Sequence, residues 1–196
     1  MAADGRRSSF QGFALFAAVI VIAVIAVLST AVLVAFAGDN DRERIERTAD
    51  VLHRLAAAID TLGSSTQPAP SFRSDVGKGP GKLSQLVTKI LPTTDFNCAG
   101  VAYTTTTAGN WVGPYYYAPI PTPGYPIAAG FTANNTLVKV TTTSLAIVIP
   151  GVSLADAQSL ELVVEGKNSG AGPIMFFSST NMTSVQYRIL SGSTIC

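Results

Sequence analysis

The hydrophobic and polar positions divide the start of the chain into a short basic head, a long apolar run and a densely charged stretch. Arg6 and Arg7 lie in the head, and the run from Phe13 to Ala37 contains no charged residue, proline or glycine. As an α-helix, this run of about 25 residues would be roughly 37 Å long, which is enough to cross a bilayer. Because the basic residues precede the run, the pattern predicts a single-pass membrane protein whose C-terminal domain is extracytoplasmic.

The charged stretch that follows predicts an amphipathic helix. Opposite charges recur four residues apart, apolar residues recur at helical spacing, and Gly63 marks a helix end. The charged pairs are Arg42 with Glu46, Glu43 with Arg47 and Asp50 with Arg54, and the apolar residues are Ile45, Leu52, Leu55, Ile59 and Leu62. We therefore expect one helix of about 50 residues whose second half packs against a domain. The single histidine, His53, is interpreted as a partly exposed helix residue and not as a metal ligand or catalytic base.

The rest of the chain predicts a small domain of mixed helix and sheet. The segment 64–81 is rich in Pro, Gly and Ser and indicates a linker. A short helix is predicted over 82–91. A second one has a capping-box-like start formed by Ser153 and Asp156 and stops at Gly166. The predicted strands are 101–106, 111–117, 136–142, 145–149, 173–179 and 184–190. The predicted fold class is therefore α+β, with a small antiparallel sheet.

Composition narrows the class of protein. The 196 residues carry a net charge of +1, which gives no reason to expect nucleic acid as a partner. Only seven charged residues fall between Leu91 and Cys196, and a surface made of hydroxyls and amides suits an extracytoplasmic domain. Cys98 and Cys196 are the only cysteines, and in an exported domain we expect them to form a disulfide. The alternative is two free thiols.

Three interpretations of the N-terminal segment compete. The residues Ala35, Phe36 and Ala37 resemble a secretory cleavage site, although the apolar run is longer than the roughly 7–15 residues usual there. The second interpretation is a permanent signal anchor. The third depends on Gly12, which stands at the border between head and apolar run and is followed by Phe13. This arrangement is similar to the type IV prepilin leader, which is cut after the glycine and leaves the apolar helix on the mature protein.

The chain resembles type IV pilins and the pseudopilins of type II secretion in its whole architecture. Besides the leader and helix, the segment 110–117, NWVGPYYY, is similar to the W-x-G-P-Y signature of several pseudopilins. The segment 153–172 resembles the late alanine-rich helix and acidic-glycine turn of many minor pilins. The resemblance implies a long N-terminal helix that forms a spine packed against the sheet of a pilin-like head domain. It also implies a leader at 1–12, a filament-core half-helix at 13–37, an amphipathic half at 38–63, a head at 64–196 and N-methylation of Phe13.

One position departs from the family pattern. Most members carry Glu at the fifth mature position, where it pairs with the N-terminal amine of a neighbouring subunit, and here that position is Ala17. An ammonium group buried in a filament core without an acidic partner is costly. The departure therefore favours a low-copy or tip subunit over the main subunit of a filament.

The resemblance implies a structural subunit of a type IV pilus-like or type II secretion filament, held in the inner membrane before assembly and then part of a periplasmic or cell-surface filament. The expected partners are other pilin or pseudopilin subunits, the prepilin peptidase, the inner-membrane assembly machinery and membrane lipid before assembly. The alternative function is a membrane-tethered extracytoplasmic binding or adhesion domain that keeps its signal anchor.

The remaining candidate chemistry is sparse. The sequence has no P-loop, Rossmann glycine motif or G-x-S-x-G elbow, and its cysteines lack metal-site spacing. We therefore expect neither an enzyme nor a cofactor. Glu161 and Glu165 are interpreted as solvated surface, with a calcium site as the alternative. Trp111 is predicted to fill the core, whereas Tyr115 to Tyr117 fit either the core or a surface that contacts a partner.

Overall fold

The computed structural model describes residues 8–60, 70–167, 172–179, 182–191 and 194–196. For 8–18 and 27–39, and for residues 176, 178, 179 and 182, it describes the backbone alone. The predicted leader residues 1–7, the helix end at Leu62 and Gly63, and the first part of the predicted linker lie outside the described residues. The chain forms two compact units, Met1–Glu43 and Arg44–Cys196, and each is described by itself.

Helix α1 is Ser8–Ile59, and its last 16 residues, 44–59, belong to the second unit. Within that unit the helix buries one stripe, which consists of Ile45, Leu52, Leu55 and Ile59. These are four of the five apolar positions that the sequence predicts to face a domain. Helical periodicity therefore identifies the buried side of this part of α1 correctly.

The second unit combines helices with antiparallel sheets, which confirms the α+β class. After α1 its helices are α2 (Phe72–Val76), a 3₁₀ turn (Leu83–Leu86), α3 (Thr105–Gly109) and α4 (Leu154–Glu165). Its strands are β1 (Gly124–Ala128), β2 (Phe131–Asn134), β3 (Val138–Thr141), β4 (Ser144–Val152), β5 (Ile174–Ser179) and β6 (Met182–Leu190). Strands β1 and β2 form a hairpin, and the other four form a sheet in the order β3-β4-β6-β5.

The core lies on one face of the four-stranded sheet. Strand β4 alternates, so that Leu145, Ile147 and Ile149 join one hydrophobic cluster with the buried stripe of α1. Ile147 stands opposite Tyr187 of β6, which belongs to the same cluster. Helix α4 adds Ala157 and Leu160 to this cluster. Residues of α1 and α4 therefore pack on the same face of the sheet.

Helix α4 follows the local signals in its sequence. The Oγ of Ser153 accepts a hydrogen bond from the N–H of Asp156 at 3.1 Å, which caps the first turn. Gly166 ends the helix in the left-handed region, with φ at 71°. The predictions for this helix and for β3 to β6 are confirmed, with shifts of a few residues at the ends.

Two predicted strands, 101–106 and 111–117, are wrong because hydrogen bonds outside any sheet set the backbone there. Thr104 Oγ1 accepts from the N–H of Thr107 at 3.2 Å and caps helix α3. In the second segment, the N–H of Tyr115 donates to the carbonyl of Leu86 at 2.7 Å, and Pro114 has no N–H for a strand ladder. That segment therefore lies against the 3₁₀ turn instead of joining a sheet.

The predicted linker is also wrong over its described part, because helix α2 lies there. Ser71 Oγ caps this helix by accepting from the N–H of Ser74 at 3.2 Å, and Gly77 ends it with φ at 77°. Phe72 and Val76 of this helix are buried in the core. The hairpin β1–β2 was not predicted, because its prolines and glycines indicate a loop.

Among the residues that the structure describes, no helix offers a stretch both long enough and apolar enough to cross a membrane. This finding contradicts the predicted localisation as a single-pass inner-membrane protein with an extracytoplasmic C-terminal domain.

Candidate functional site

Residues 19–26 of α1 form an exposed apolar surface, here called the apolar segment. Their side chains are all exposed, and they are Val19, Ile20, Val21, Ile22, Ala23, Val24, Ile25 and Ala26. Eight residues complete more than two helical turns, so apolar side chains point outward on every side of the axis. A helix that faces water normally carries a polar side. The apolar segment is therefore a candidate surface for contact with an apolar partner.

The predicted processing and filament residues lie on α1 around this segment. Gly12, Phe13, Ala17 and Ala37 all have helical backbone, and their side chains are outside the described part of the structure. Cleavage after Gly12 and methylation of Phe13 therefore stay predictions.

Arg44 connects three elements of the second unit. Its Nη2 lies 2.7 Å from Oδ1 of Asp156 in α4, and its Nη1 donates to the carbonyl of Ala129, in the turn between β1 and β2, at 3.1 Å. The guanidinium also stands 5.1 Å from the centre of the Phe131 ring, within range of a cation–π interaction. The sequence analysis missed this contact, because it considers only charged pairs within the helix and assigns Arg44 no role.

The W-x-G-P-Y segment builds a compact aromatic corner. The indole N–H of Trp111 donates to the carbonyl of Gln85 at 2.9 Å, and the Trp111 and Tyr115 rings meet edge to face with centroids 5.6 Å apart. A Cβ at Gly113 would come within 2.7 Å of the indole and 2.8 Å of the Tyr115 ring. A side chain at position 113 would therefore clash with these two rings. Trp111 packs against the core, in agreement with its prediction.

The tyrosines that follow divide between core and surface. Tyr116 is buried, while Tyr117 is 72% exposed. The two rings are tilted at 35° to each other with centroids 4.8 Å apart, and the Tyr116 hydroxyl donates to the hydroxyl of Tyr125 at 3.3 Å. Tyr116 thus belongs to the core, whereas Tyr117 lies on the surface.

A groove of about 290 Å³ lies between these tyrosines and α1. We call it the tyrosine groove, and it is lined by Arg54, Ala57, Ala58, Pro70, Tyr115, Tyr116 and Tyr117. The pKa of the Arg54 guanidinium is raised by its hydrogen bond to Asp50 and, to a smaller extent, by Tyr117. The groove therefore combines aromatic faces with hydrogen-bond donors.

Three interactions hold the C-terminal residues of the second unit. Cys98 and Cys196, which the sequence analysis pairs, are bonded with their sulfurs 2.08 Å apart. Next to them, the N–H of Gly79 donates to the carbonyl of Ile195 at 2.6 Å. Arg73 bonds Asp60 at 2.8 Å and also donates to the carbonyl of Thr194 at 3.3 Å.

His53 makes a structural contact. Its Nδ1 lies 3.0 Å from the hydroxyl of Tyr187, and the two rings meet edge to face. Burial raises the pKa of the Tyr187 phenol. The imidazole itself is exposed on α1, as the sequence indicates.

The two glutamates considered for calcium have different surroundings. Glu161 is fully buried, so its interpretation as solvated surface is wrong. It stands four residues after Ala157, on the stripe of α4 that faces the core. Glu165 Oε1 accepts from the N–H of Ile174 at 2.7 Å. Within the described ranges, no group of three or more His, Cys, Asp and Glu side chains is arranged to hold a metal ion.

Comparison of the chain with models of protein families, with curated proteins and with solved structures finds no match.

Proposed function

We propose that this protein is a structural subunit of a filament of the type IV pilus or type II secretion kind. The observation that carries the proposal is the apolar segment, a helical surface that is apolar and exposed in all directions. Apolar surface in contact with water costs about 25 cal/mol per Å². Bundling the helices of several subunits removes that cost on every side at once, whereas a single neighbour would cover only one side.

The proposed architecture has α1 as a single spine, with the filament-core part at 13–37 and the head at 64–196. The buried stripe of α1 in the second unit supports the head end of this arrangement. The proposed partners are other pilin-like subunits, and the proposed processing is cleavage after Gly12 by a prepilin peptidase.

The test is incorporation of the full-length protein into filaments sheared from cells that produce it, followed by sedimentation and electron microscopy. Val21→Glu places a carboxylate in the apolar segment, and Val101→Glu places one on the head. The two valines are 55% and 59% exposed, which makes them a matched pair. We expect Val21→Glu to lower the sedimenting fraction at least tenfold and Val101→Glu to leave it unchanged. Equal assembly of both variants would contradict the role given to the apolar segment. Absence of the wild-type protein from sedimenting filaments would favour a binding domain that does not assemble.

The copy number follows from Ala17. A subunit without an acid at this position leaves the Phe13 amine to find its partner on another kind of subunit or at a polar boundary. We therefore propose incorporation at low copy number or at the filament tip. Quantitative mass spectrometry of purified filaments measures this ratio, and a shaft built of this chain alone would refute the low-copy proposal.

A further inference from the structure

A second pocket, of about 260 Å³, lies where three segments of the second unit meet, and we call it the Asn97 pocket. Backbone bridges join these segments, one between Pro80 and Asn97 and one between Lys82 and Thr136. The walls of the pocket are therefore fixed by the backbone. The lining residues are Gly81, Lys82, Phe96, Asn97, Cys98, Gly100, Thr136 and Leu137.

The side chain of Asn97 holds a turn at one side of this pocket and is only 7% exposed. One of its carboxamide atoms accepts from the N–H of Ala99 at 2.9 Å and from the N–H of Val101 at 3.1 Å. Because that atom accepts two hydrogen bonds, it is the oxygen. The backbone N–H of Asn97 donates to the carbonyl of Val101, and its carbonyl accepts from the N–H of Gly100. The turn thus uses every polar group of Asn97 except its amide nitrogen.

The amide nitrogen Nδ2 of Asn97 is a donor that remains available to a ligand. Among the described residues it has no hydrogen-bond partner. It is also not one of the fully enclosed polar atoms that lack a partner in that part of the chain. The nitrogen therefore reaches open space, and the pocket is the open volume that Asn97 lines. Since the turn already holds the side chain, a ligand would gain this hydrogen bond with little ordering cost.

Lys82 gives the pocket a positive charge. Its side chain is exposed, and within the described ranges its ammonium has no ion-pair partner. Thr136 lies directly opposite Lys82 across the antiparallel bridge, which places the two side chains next to each other. None of the described residues that line the pocket is acidic. An ammonium, an amide N–H₂ group and a hydroxyl together favour an anionic ligand.

The rest of the lining is largely apolar. Phe96 is 49% exposed, and Leu137 and Cys98 line the pocket with it. A Cβ at Gly81 would come within 2.5 Å of the Phe96 carbonyl oxygen, so glycine allows the segments that carry Lys82 and Phe96 to approach. The volume lies just below the roughly 300–1,000 Å³ of most ligand pockets. The pocket therefore suits a small molecule that has both a charged and an apolar part.

We propose that the Asn97 pocket binds a small carboxylate that carries an apolar group. The carboxylate accepts hydrogen bonds from Lys82 and from Nδ2 of Asn97, and the apolar group packs against Phe96. The bond to the ammonium is charge-assisted and so roughly twice as strong as a neutral hydrogen bond. The proposal goes beyond the filament function and does not depend on assembly, because it involves residues of the second unit alone.

The test is titration of the full-length protein, kept in a neutral detergent, with 4-fluorophenylacetate. The ¹⁹F signal of this probe gives its Kd, and ¹⁵N-asparagine labelling shows where it binds. We expect a saturable shift of the Asn97 side-chain N–H₂ resonances, which are identified by their loss in Asn97→Asp. 4-Fluorophenylacetamide keeps the ring without the charge, whereas acetate keeps the charge without the ring. Each should bind at least about fivefold more weakly than the probe.

Two variants test the donors. Lys82→Met removes the ammonium and should raise the Kd of the probe at least about fivefold, whereas Lys89→Met, at another exposed lysine outside the pocket, should leave it unchanged. Asn97→Asp keeps an oxygen for the N–H groups of Ala99 and Val101, so the turn persists. It replaces the free donor with a negative charge and should raise the Kd at least about tenfold. Melting temperatures of the variants verify that they fold.

The outcomes that would overturn the proposal are distinct. An equal Kd for wild type and Lys82→Met, or equal binding of the acid and its amide, would exclude recognition of a carboxylate. Probe binding without a shift of the Asn97 resonances would place the ligand on another surface. Displacement of the probe by phosphate or acetate as readily as by phenylacetate would indicate a site for any small anion and refute the role of Phe96. None of these readouts depends on assembly, so each result leaves the filament proposal standing.

Discussion

Arg44 and Asp156 form an ion pair at 2.7 Å although 112 residues separate them in the chain. Their side chains are only 21% and 27% exposed, so water screens the pair less than it screens a surface pair. Arg44 also holds Ala129 and faces Phe131. The pair therefore fastens the second unit's part of α1 to both α4 and the β1–β2 hairpin.

We predict that Arg44→Met lowers the free energy of unfolding by about 1–3 kcal/mol, between the values for exposed and buried pairs. Asp156→Asn should cost less, because Arg44 keeps its bond to Ala129. The control is Arg54→Met, since the Arg54–Asp50 pair is more than half exposed and should contribute less than about 1 kcal/mol. Urea unfolding of the full chain measures all three, and equal losses at Arg44 and Arg54 would contradict the role given to Arg44.

The disulfide gives a second prediction. Cys98 and Cys196 are 98 residues apart, and the chain-entropy model values a loop of this size at about 4–5 kcal/mol. Cys98→Ser with Cys196→Ser should therefore lower the melting temperature of the second unit strongly. Non-reducing peptide mapping of the wild-type protein provides the control, and two free thiols there would refute the pairing.

The third prediction concerns alkaline pH. Burial raises the pKa of Tyr103 well above its ordinary value, and the Asp95 carboxylate adds to this shift. A tyrosine of the unfolded chain ionises near pH 10, whereas the folded protein keeps the Tyr103 proton. The unfolded state then binds fewer protons, so the stability that Tyr103 supplies is complete below about pH 10 and decreases above it.

Urea titrations between pH 8 and about 11 test this. Tyr103→Phe loses two weak hydrogen bonds of its hydroxyl, to Gly79 and Gln85, and is less stable at all pH values. Its decline above pH 10 should nevertheless be shallower than that of the wild type, by up to about 1.4 kcal/mol per pH unit. Tyr117→Phe controls for the removal of an exposed phenol. Identical slopes for Tyr103→Phe and wild type would exclude the effect.

The fourth prediction concerns processing. If the prepilin resemblance holds, the mature chain begins at Phe13 and carries a methylated amine. Gly12→Leu should then leave the leader in place, while Gly5→Leu, which changes a leader glycine away from the border, should not. Intact-mass measurement distinguishes these outcomes. A mature chain that begins at Gly38 instead would indicate a secretory signal and overturn the pilin interpretation.

The sequence predicts several elements that local signals determine, although it misses the locally capped helices α2 and α3. Ser153 and Gly166 cap α4 through hydrogen bonds within one turn, and the alternation in β6 depends only on neighbouring residues. Other predictions fail because distant residues decide. Phe72 lies in a stretch with linker composition, and only the core formed by the rest of the unit explains its burial. Glu161 likewise looks solvated by its charge but lies on the buried stripe.

The candidate site could be predicted only in part. The apolar run is visible in the sequence, as are the tyrosines. The tyrosine groove is not, because it requires Arg54 of α1 to approach a segment about 60 residues later, and no periodicity encodes that approach. The hydrogen bond from Tyr116 to Tyr125 is not visible either, because Tyr125 belongs to a hairpin that the sequence analysis did not predict.

Trp111 is the only tryptophan of the chain, and its position makes it a built-in optical reporter. Its indole is bonded to Gln85, and its ring touches Tyr115, a residue of the groove wall. Indole emission shifts in wavelength and intensity when the local polarity or a neighbouring aromatic ring changes. Fluorescence excited at the red edge of the absorption band would therefore report changes in polarity or ring packing at the groove in the unlabelled protein. No second indole contributes to the signal.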